Sequence, residues 1–151
     1  MISGFLAKFL VLGVLGFGLS ILFRKKIASQ IKRIHLPKFA LYLISSLPLI
    51  IFEENINCLP TGCVLFPSTI PILLFFVLCL GLIVKIFKIK RVSIATLIFS
   101  LFGLAFELAI SPNLSAQYFA YPLLELIFGT YWVMVSYAFL AIIPLTVLIE
   151  K

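Results

Sequence analysis

Long apolar runs are the feature that most constrains the fold of this chain. A helix needs about 20 consecutive, mostly apolar residues to cross the hydrocarbon core of a bilayer. Short charged or polar segments divide the 151-residue sequence into five such runs, at 2–23, 38–54, 68–87, 92–110 and 131–149. We predict an all-α integral membrane protein with a single transmembrane domain. It is a helical bundle of five spans, or of four spans plus a re-entrant or interfacial segment.

The overall composition excludes the other common classes of protein. Hydrophobic residues make up 64% of the chain and charged residues 11%, whereas a soluble domain has about 45–50% and about 25%. After five spans and short connections, no stretch remains for a soluble catalytic or ligand-binding domain. Any chemistry is therefore expected among the helices or in one loop.

The last apolar region, 118–149, is too long for one straight span. As a single helix it would measure about 48 Å, against a hydrocarbon core of about 30 Å. We predict a short interfacial or re-entrant piece at 122–128, a break at 129–130 and a span at 131–149. The alternative is one long tilted helix with a kink at the same place or at Pro144.

Clusters of basic residues indicate which ends of the spans face the cytoplasm. The chain has 12 Lys and Arg against 5 Asp and Glu, a formal net charge of +7. Most of this charge lies in the connections 24–38 and 85–91, which share one side if every run crosses the membrane. By the positive-inside rule that side is cytoplasmic. The amino terminus and the connections 55–67 and 111–121 are then predicted outside.

Isoleucines recur at helical spacing in the basic segment 24–38. One interpretation is a short helix in the cytoplasmic interface, where Lys25, Lys26, Lys32 and Arg33 contact anionic lipid. The other is a basic loop that only orients the spans. Nucleic acid is not an expected partner, because no aromatic or glycine motif of an RNA- or DNA-binding module accompanies the charge.

Acidic residues are few and gather on the opposite side. The chain has no Asp. Glu53, Glu54 and Glu107 lie at predicted outer ends of spans, and Glu125 opens the last apolar stretch on the same side. An ionisable residue in hydrocarbon is costly and usually faces a partner charge or a cavity. We predict that the four carboxylates form an outward-facing site for a proton or a cation.

A plainer interpretation of the same glutamates stays open. Glu53, Glu54 and Glu125 would then mark span ends in water and headgroups, while Glu107 would pair with Lys8 or with a tyrosine hydroxyl. The position of Glu107 between Phe and Leu residues favours a specific role, because no helix terminus requires a charge there.

Two cysteines occupy the predicted outer loop. Pro60 and Gly62 lie between Cys58 and Cys63, and these residues favour a turn that brings the two thiols together. A disulfide is the leading interpretation. Redox exchange and metal ligation are weaker alternatives, because the spacing is neither C-x-x-C nor a complete zinc site.

Small residues form a stripe in the first span. Gly13, Gly16 and Ser20 recur at spacings of three and four, which lets another helix approach closely. The partner helix belongs either to this chain or to another.

Three functions of different classes are compatible with the sequence. The small size and the lack of an extramembrane domain favour an accessory or assembly subunit of a larger membrane complex, with other membrane proteins as partners. The carboxylates favour a small transporter or ion-handling protein. A membrane enzyme acting on a lipid or isoprenoid, with one carboxylate as general acid or base, is the third. No particular cofactor is indicated, and a Ser-His-Asp triad is excluded because Asp is absent.

Overall fold

Helices account for every regular element in the part of the chain that the structure, a computed structural model, describes: residues 9–57, 69–110 and 123–150. The elements are a π-helix at Phe9–Phe17, then α1 at Gly18–Ile31, α2 at Lys38–Asn57, α3 at Ile70–Ile86, α4 at Val92–Ile110 and α5 at Leu123–Ile149. The predicted all-helical class is confirmed for these residues.

Three of the described helices are long and apolar enough to cross a membrane. The qualifying segments are Lys38–Ile56, Val92–Ala109 and Leu126–Ile149. Helix α3 is equally apolar, but its 17 residues extend only about 26 Å. In the described part of the first predicted span, residues 9–17 are π-helix and residues 18–23 belong to α1, which continues to Ile31. Their junction is continuous, because Phe17 has helical angles, φ −69 and ψ −44.

The predicted break at 129–130 is wrong, and the alternative of one long helix holds instead. Helix α5 continues without interruption through Leu123–Ile149 and includes Pro144. A glycine inside a helix costs only about 1 kcal/mol relative to alanine, which tertiary packing readily outweighs. Thr130 also stays within the helical pattern, because its hydroxyl donates to the carbonyl of Leu126 at 2.9 Å.

Helix α5 is the central element of the bundle. It packs against α4, α2, α1 and the π-helix. Within its apolar window 72% of the residues are buried, against 28% in α2 and 33% in α4. A helix that is apolar on all sides is expected in this position, because every face meets another helix.

The basic residues before α2 do not form a separate interfacial helix. Residues 24–31 are the last two turns of α1, and a turn at 32–36 leads into α2. Ala28 of α1 is fully buried against Leu41 of α2 and Val147 of α5. The first helix therefore packs on the bundle down to its end.

Glycine in the first helical stretch permits close packing on α5. A Cβ added at Gly16 would lie 3.3 Å from the ring of Phe139. Gly13 and Ser20, the other members of the predicted stripe, are buried as well. The helix that approaches this stripe within the described residues is α5 of the same chain.

The tight connection between α3 and α4 contains one strained residue. Lys88 has φ 51, in the left-handed region that costs an L-residue about 1–2 kcal/mol. This conformation ends α3, because it lets the amide of Ile89 donate to the carbonyl of Val84 at 3.0 Å.

Candidate functional site

One face of α4 leads to Glu107. Thr96, Ser100, Gly103 and Glu107 recur at spacings of four, three and four, which places them on one side of a helix. The first three are buried and Glu107 is half-buried. This face packs against α5, the neighbour with which α4 has its main contact.

A tyrosine of α5 holds the carboxylate of Glu107. The hydroxyl of Tyr137 donates a hydrogen bond to Oε1 of Glu107 at 3.2 Å. The Tyr137 ring, 5% exposed, lies directly on the backbone of α4. A Cβ added at Gly103 would stand 2.3 Å from that ring. Gly103 lies one turn before Glu107, so the missing side chain lets the hydroxyl reach the carboxylate.

Two glutamates of α2 lie near this pair. Glu53 is only 5% exposed, and Glu54 is half-buried. Glu54 interacts electrostatically with Glu107, and both Glu53 and Glu54 interact with Tyr137. The burial of Glu53 does not fit a helix end in water, and its role as a span end among headgroups stays a prediction. The hydrogen bond of Glu107 to a tyrosine hydroxyl is the pairing that the plainer interpretation expected. We call Glu53, Glu54 and Glu107 the carboxylate cluster.

The carboxylate cluster lies at one height in the bundle. Glu53 and Glu107 each follow the first residue of their helix by 15 positions, a rise of about 22 Å. Both helices start at the same end, because Lys85 near the end of α3 lies 5.7 Å from the ring centroid of Phe39 in α2. Glu53 and Glu107 therefore come to the same level from different helices.

Other predicted site residues have different outcomes. Glu125 belongs to the first turn of α5, but its side chain lies outside the described part of the structure. Cys58 and Cys63 lie outside the described residues, and so does Lys8. Cys79, in α3, is a free thiol. Among the described residues, no group of three or more His, Cys, Asp or Glu side chains is arranged to bind a metal ion.

Aromatic rings surround the Tyr137–Glu107 pair on the α4 side. Phe99 makes an edge contact with Tyr137 at 5.5 Å between centroids, and Phe106 makes one with Phe76 of α3 at 4.5 Å. Beside Tyr137, the buried hydroxyl of Ser136 has no hydrogen-bond partner within the described segments. The pair thus lies between aromatic rings and the carboxylates of α2, in a place less exposed to water, where a hydrogen bond to a carboxylate is stronger than in bulk solvent.

The opposite end of the bundle carries the basic residues. Nζ of Lys32 and Nζ of Lys38 donate to the backbone carbonyl of Glu150 at 2.9 and 3.3 Å. Cations at a helix C-terminus offset the negative end of its dipole. Burial and then the neighbouring Lys38 lower the pKa of Lys32 below its ordinary value, and Glu150 opposes this shift. We call the region formed by 31–38, 86–92 and 149–150 the basic end.

Sequence reasoning missed Tyr137 and Gly103. A tyrosine hydroxyl was an expected partner of Glu107, but five tyrosines were available and the register of α4 on α5 decides among them. Gly103 and Glu107 are one helical turn apart. This spacing could have suggested that a side chain of another helix packs over Gly103 and reaches Glu107.

Comparisons with protein-family models, with curated proteins and with solved structures find no match for this chain. Its function is inferred below from its own residues.

Proposed function

We propose that this chain is a multi-pass membrane protein that takes up and releases protons at the Tyr137–Glu107 pair. The hydrogen bond between these two side chains inside the bundle is the observation that carries the proposal. The helices that meet there, α4 and α5, are both long and apolar enough to cross a bilayer. Ionisable side chains at such depth are costly and mark ion or proton pathways.

Depth in the bilayer supports this function. If the basic end lies at one surface, a rise of about 22 Å puts Glu53 and Glu107 inside a hydrocarbon core of about 30 Å. They would lie in the half of the bilayer away from the basic end. By the positive-inside rule, the site is closer to the outer surface.

Proton exchange fits the cluster better than divalent-cation binding. Carboxylates close together relieve their repulsion by keeping a proton or by sharing a cation. Glu107 directs one oxygen to the Tyr137 hydroxyl, and the described residues include no group of three ligands around a common point. A proton needs only one carboxylate oxygen and a hydrogen-bonded neighbour.

Proton flux into proteoliposomes tests the proposal. Vesicles containing the purified chain and an internal pH dye are given a potassium diffusion potential. We expect the wild-type protein to conduct protons above the level of empty vesicles, and Glu107→Gln to lower the flux at least about tenfold, because the amide cannot exchange a proton. Glu150→Gln removes the same charge at the basic end and is expected to leave the flux unchanged.

Two results would contradict the proposal. Wild-type vesicles that conduct no better than empty ones would exclude proton transfer. Equal flux in Glu107→Gln and wild type would exclude Glu107 as the exchanging group, provided that both proteins have the same helix content and elute alike in detergent.

An accessory or assembly subunit is the second candidate, and the surface of α4 favours it. Ile94, Leu97 and Leu101 are 45%, 52% and 50% exposed and follow one another along one stripe of the helix. This stripe can face lipid or a neighbouring subunit. Co-purification of a stable partner in mild detergent, together with absent proton flux, would favour this second function. The lipid or isoprenoid enzyme stays a prediction.

A further inference from the structure

An apolar groove runs along the hairpin of α1 and α2 at the basic end. It is open on one side, has a volume of about 400 Å³ and is lined by the last turns of α1, the turn after it, α2 and Ile143 of α5. Ser45 is its one polar lining residue, and the Ser45 hydroxyl already donates to the carbonyl of Tyr42 at 3.0 Å. The groove therefore presents an apolar wall to its occupant.

The length of the groove corresponds to one leaflet of a bilayer. Along α2 its lining extends from Leu41 to Leu49, a rise of about 12 Å, and Ile34 and Leu36 continue it into the turn. One leaflet contributes about 15 Å of hydrocarbon. A molecule bound along the groove would thus extend from the turn between α1 and α2 to about the middle of the membrane.

The small volume of the groove means that a helix would enter it only in part. A helix about 10 Å across would fill about 900 Å³ over a length of 12 Å. This is about twice the volume of the groove. A single extended hydrocarbon chain is narrower and requires no hydrogen-bond partners.

Two exposed basic residues are neighbours in sequence of residues that line the groove. Arg33 lies in the turn between the lining residues Ile31 and Ile34, is exposed, and its guanidinium makes no ion pair with the rest of the described chain. Lys26, also exposed, precedes the lining residue Ile27 and lines a neighbouring groove with it. The nearby Lys32 and Lys38 are directed to the carbonyl of Glu150, whose carboxylate is the acidic group at this end.

We propose that this groove binds one acyl chain of an anionic phospholipid, and that Arg33 contacts the phosphate. The apolar wall recognises the chain, and the guanidinium recognises the phosphate through paired N–H donors. The positive-inside rule assigns the basic end to the cytoplasmic leaflet, which carries the anionic lipids. The site is separate from the carboxylate cluster, so it does not depend on the proposed proton transfer.

Native mass spectrometry of the purified full chain tests this site. Phosphatidylglycerol and phosphatidylcholine with the same acyl chains are titrated separately, and the fraction of protein carrying one lipid is measured. We expect phosphatidylglycerol to bind at least about fivefold more tightly, since one basic residue near an anionic headgroup contributes a factor of about five. Glycerol phosphate, which has the headgroup chemistry without a chain, is expected not to bind measurably.

Two variants divide the site into its parts. Arg33→Gln is expected to weaken phosphatidylglycerol about fivefold and to leave phosphatidylcholine unchanged. Ile44→Trp, which places an indole in the groove from a position that is 56% exposed, is expected to weaken both lipids. Arg91→Gln and Leu97→Trp make the same changes at exposed positions outside the groove and are the matched controls.

Several outcomes would overturn the proposal. Equal binding of the two lipids, or equal weakening by Arg33→Gln and Arg91→Gln, would exclude a phosphate contact at Arg33. Unchanged lipid binding in Ile44→Trp would exclude the groove. Binding of glycerol phosphate as tight as that of the lipid would assign the site to a free phosphate. A dimer that only Ile44→Trp dissociates would assign the groove to a second copy of the chain.

Discussion

The basic end and the carboxylate cluster use charged side chains in opposite ways. At the basic end, Lys32 and Lys38 lie near the surface and donate to a backbone carbonyl at the end of α5. In the cluster, Glu53 is buried and Glu107 receives a hydrogen bond from a buried tyrosine. A charge contact at the surface contributes about 0–1 kcal/mol, whereas removing the partner of a buried charge costs about 3–5 kcal/mol. Acidic side chains inside the bundle therefore indicate a function more strongly than the more numerous basic side chains near the surface do.

The largest effect in this comparison is expected from filling the space under Tyr137. Gly103→Ala places a Cβ 2.3 Å from the ring, so the ring must move and its hydroxyl leaves Glu107. We expect the free energy of unfolding in mixed micelles to fall by about 2–3 kcal/mol and proton flux to fall with it. Helix propensity alone would raise stability by about 1 kcal/mol.

Gly18→Ala is the matched control, because an added Cβ there meets nothing within 4 Å. It is expected to keep or raise stability and to preserve flux. If Gly103→Ala behaved like Gly18→Ala, the contact between the Tyr137 ring and α4 would be wrong.

Removing single tyrosine hydroxyl groups distinguishes a hydrogen bond of the proposed proton site from one that only stabilises the fold. Tyr137→Phe deletes a hydrogen bond to a carboxylate, and we expect a loss of about 1.5–3 kcal/mol together with lower flux. Tyr42→Phe deletes the bond to the carbonyl of Val77, and we expect a loss of about 1 kcal/mol with unchanged flux. The same unfolding and flux measurements check both variants, and a loss of flux in Tyr42→Phe alone would reverse the assignment.

At the basic end the expected effects are smaller. Lys32→Met keeps an aliphatic chain but removes the donor to Glu150, and we expect a loss of about 0.3–1 kcal/mol. Lys90→Met, an exposed residue in the other basic connection, is expected to change stability by less. The free energy of unfolding of both variants is measured at low and at high salt. If Lys32→Met remains less stable than Lys90→Met at high salt, the contact of Lys32 is not a surface interaction that salt screens.

The smallest expected effect is at the turn between α3 and α4. Lys88→Gly relieves the left-handed conformation of Lys88, and we expect stability to rise by about 0.5 kcal/mol after the entropic cost of glycine. Lys90→Gly removes the same charge without the strain and is expected to lower stability slightly. A decrease in both variants would show that the side chain of Lys88 contributes more than its backbone costs.

The helical class and the candidate carboxylates could be predicted from sequence because they depend on local pattern. The length of an apolar run identifies a span. A glutamate between Phe and Leu is recognisable as unusual whatever the helix packs against. The sequence also predicts the common level of Glu53 and Glu107. Both predicted spans start beside a basic connection, and each glutamate follows the start of its span by the same number of residues.

Contacts between helices could not be predicted in the same way. The pairing of Tyr137 with Glu107 depends on the register of α5 on α4, which Gly103 sets through the absence of a side chain. The continuity of α5 at Gly129 has a local reason, because a single glycine costs only about 1 kcal/mol in a helix and the hydroxyl of Thr130 donates to the carbonyl of Leu126 within the helix. The predicted break gave this single glycine too much weight.

The central position of α5 has a consequence for how the protein is made. Of the five α-helices, the one that buries most of the interior is the last to leave the ribosome. Until then α4 lacks its main neighbour, and the carboxylate of Glu107 has no Tyr137 hydroxyl to donate to it. The half-made chain therefore passes through a stage in which an acidic group is exposed within the membrane or its translocation machinery.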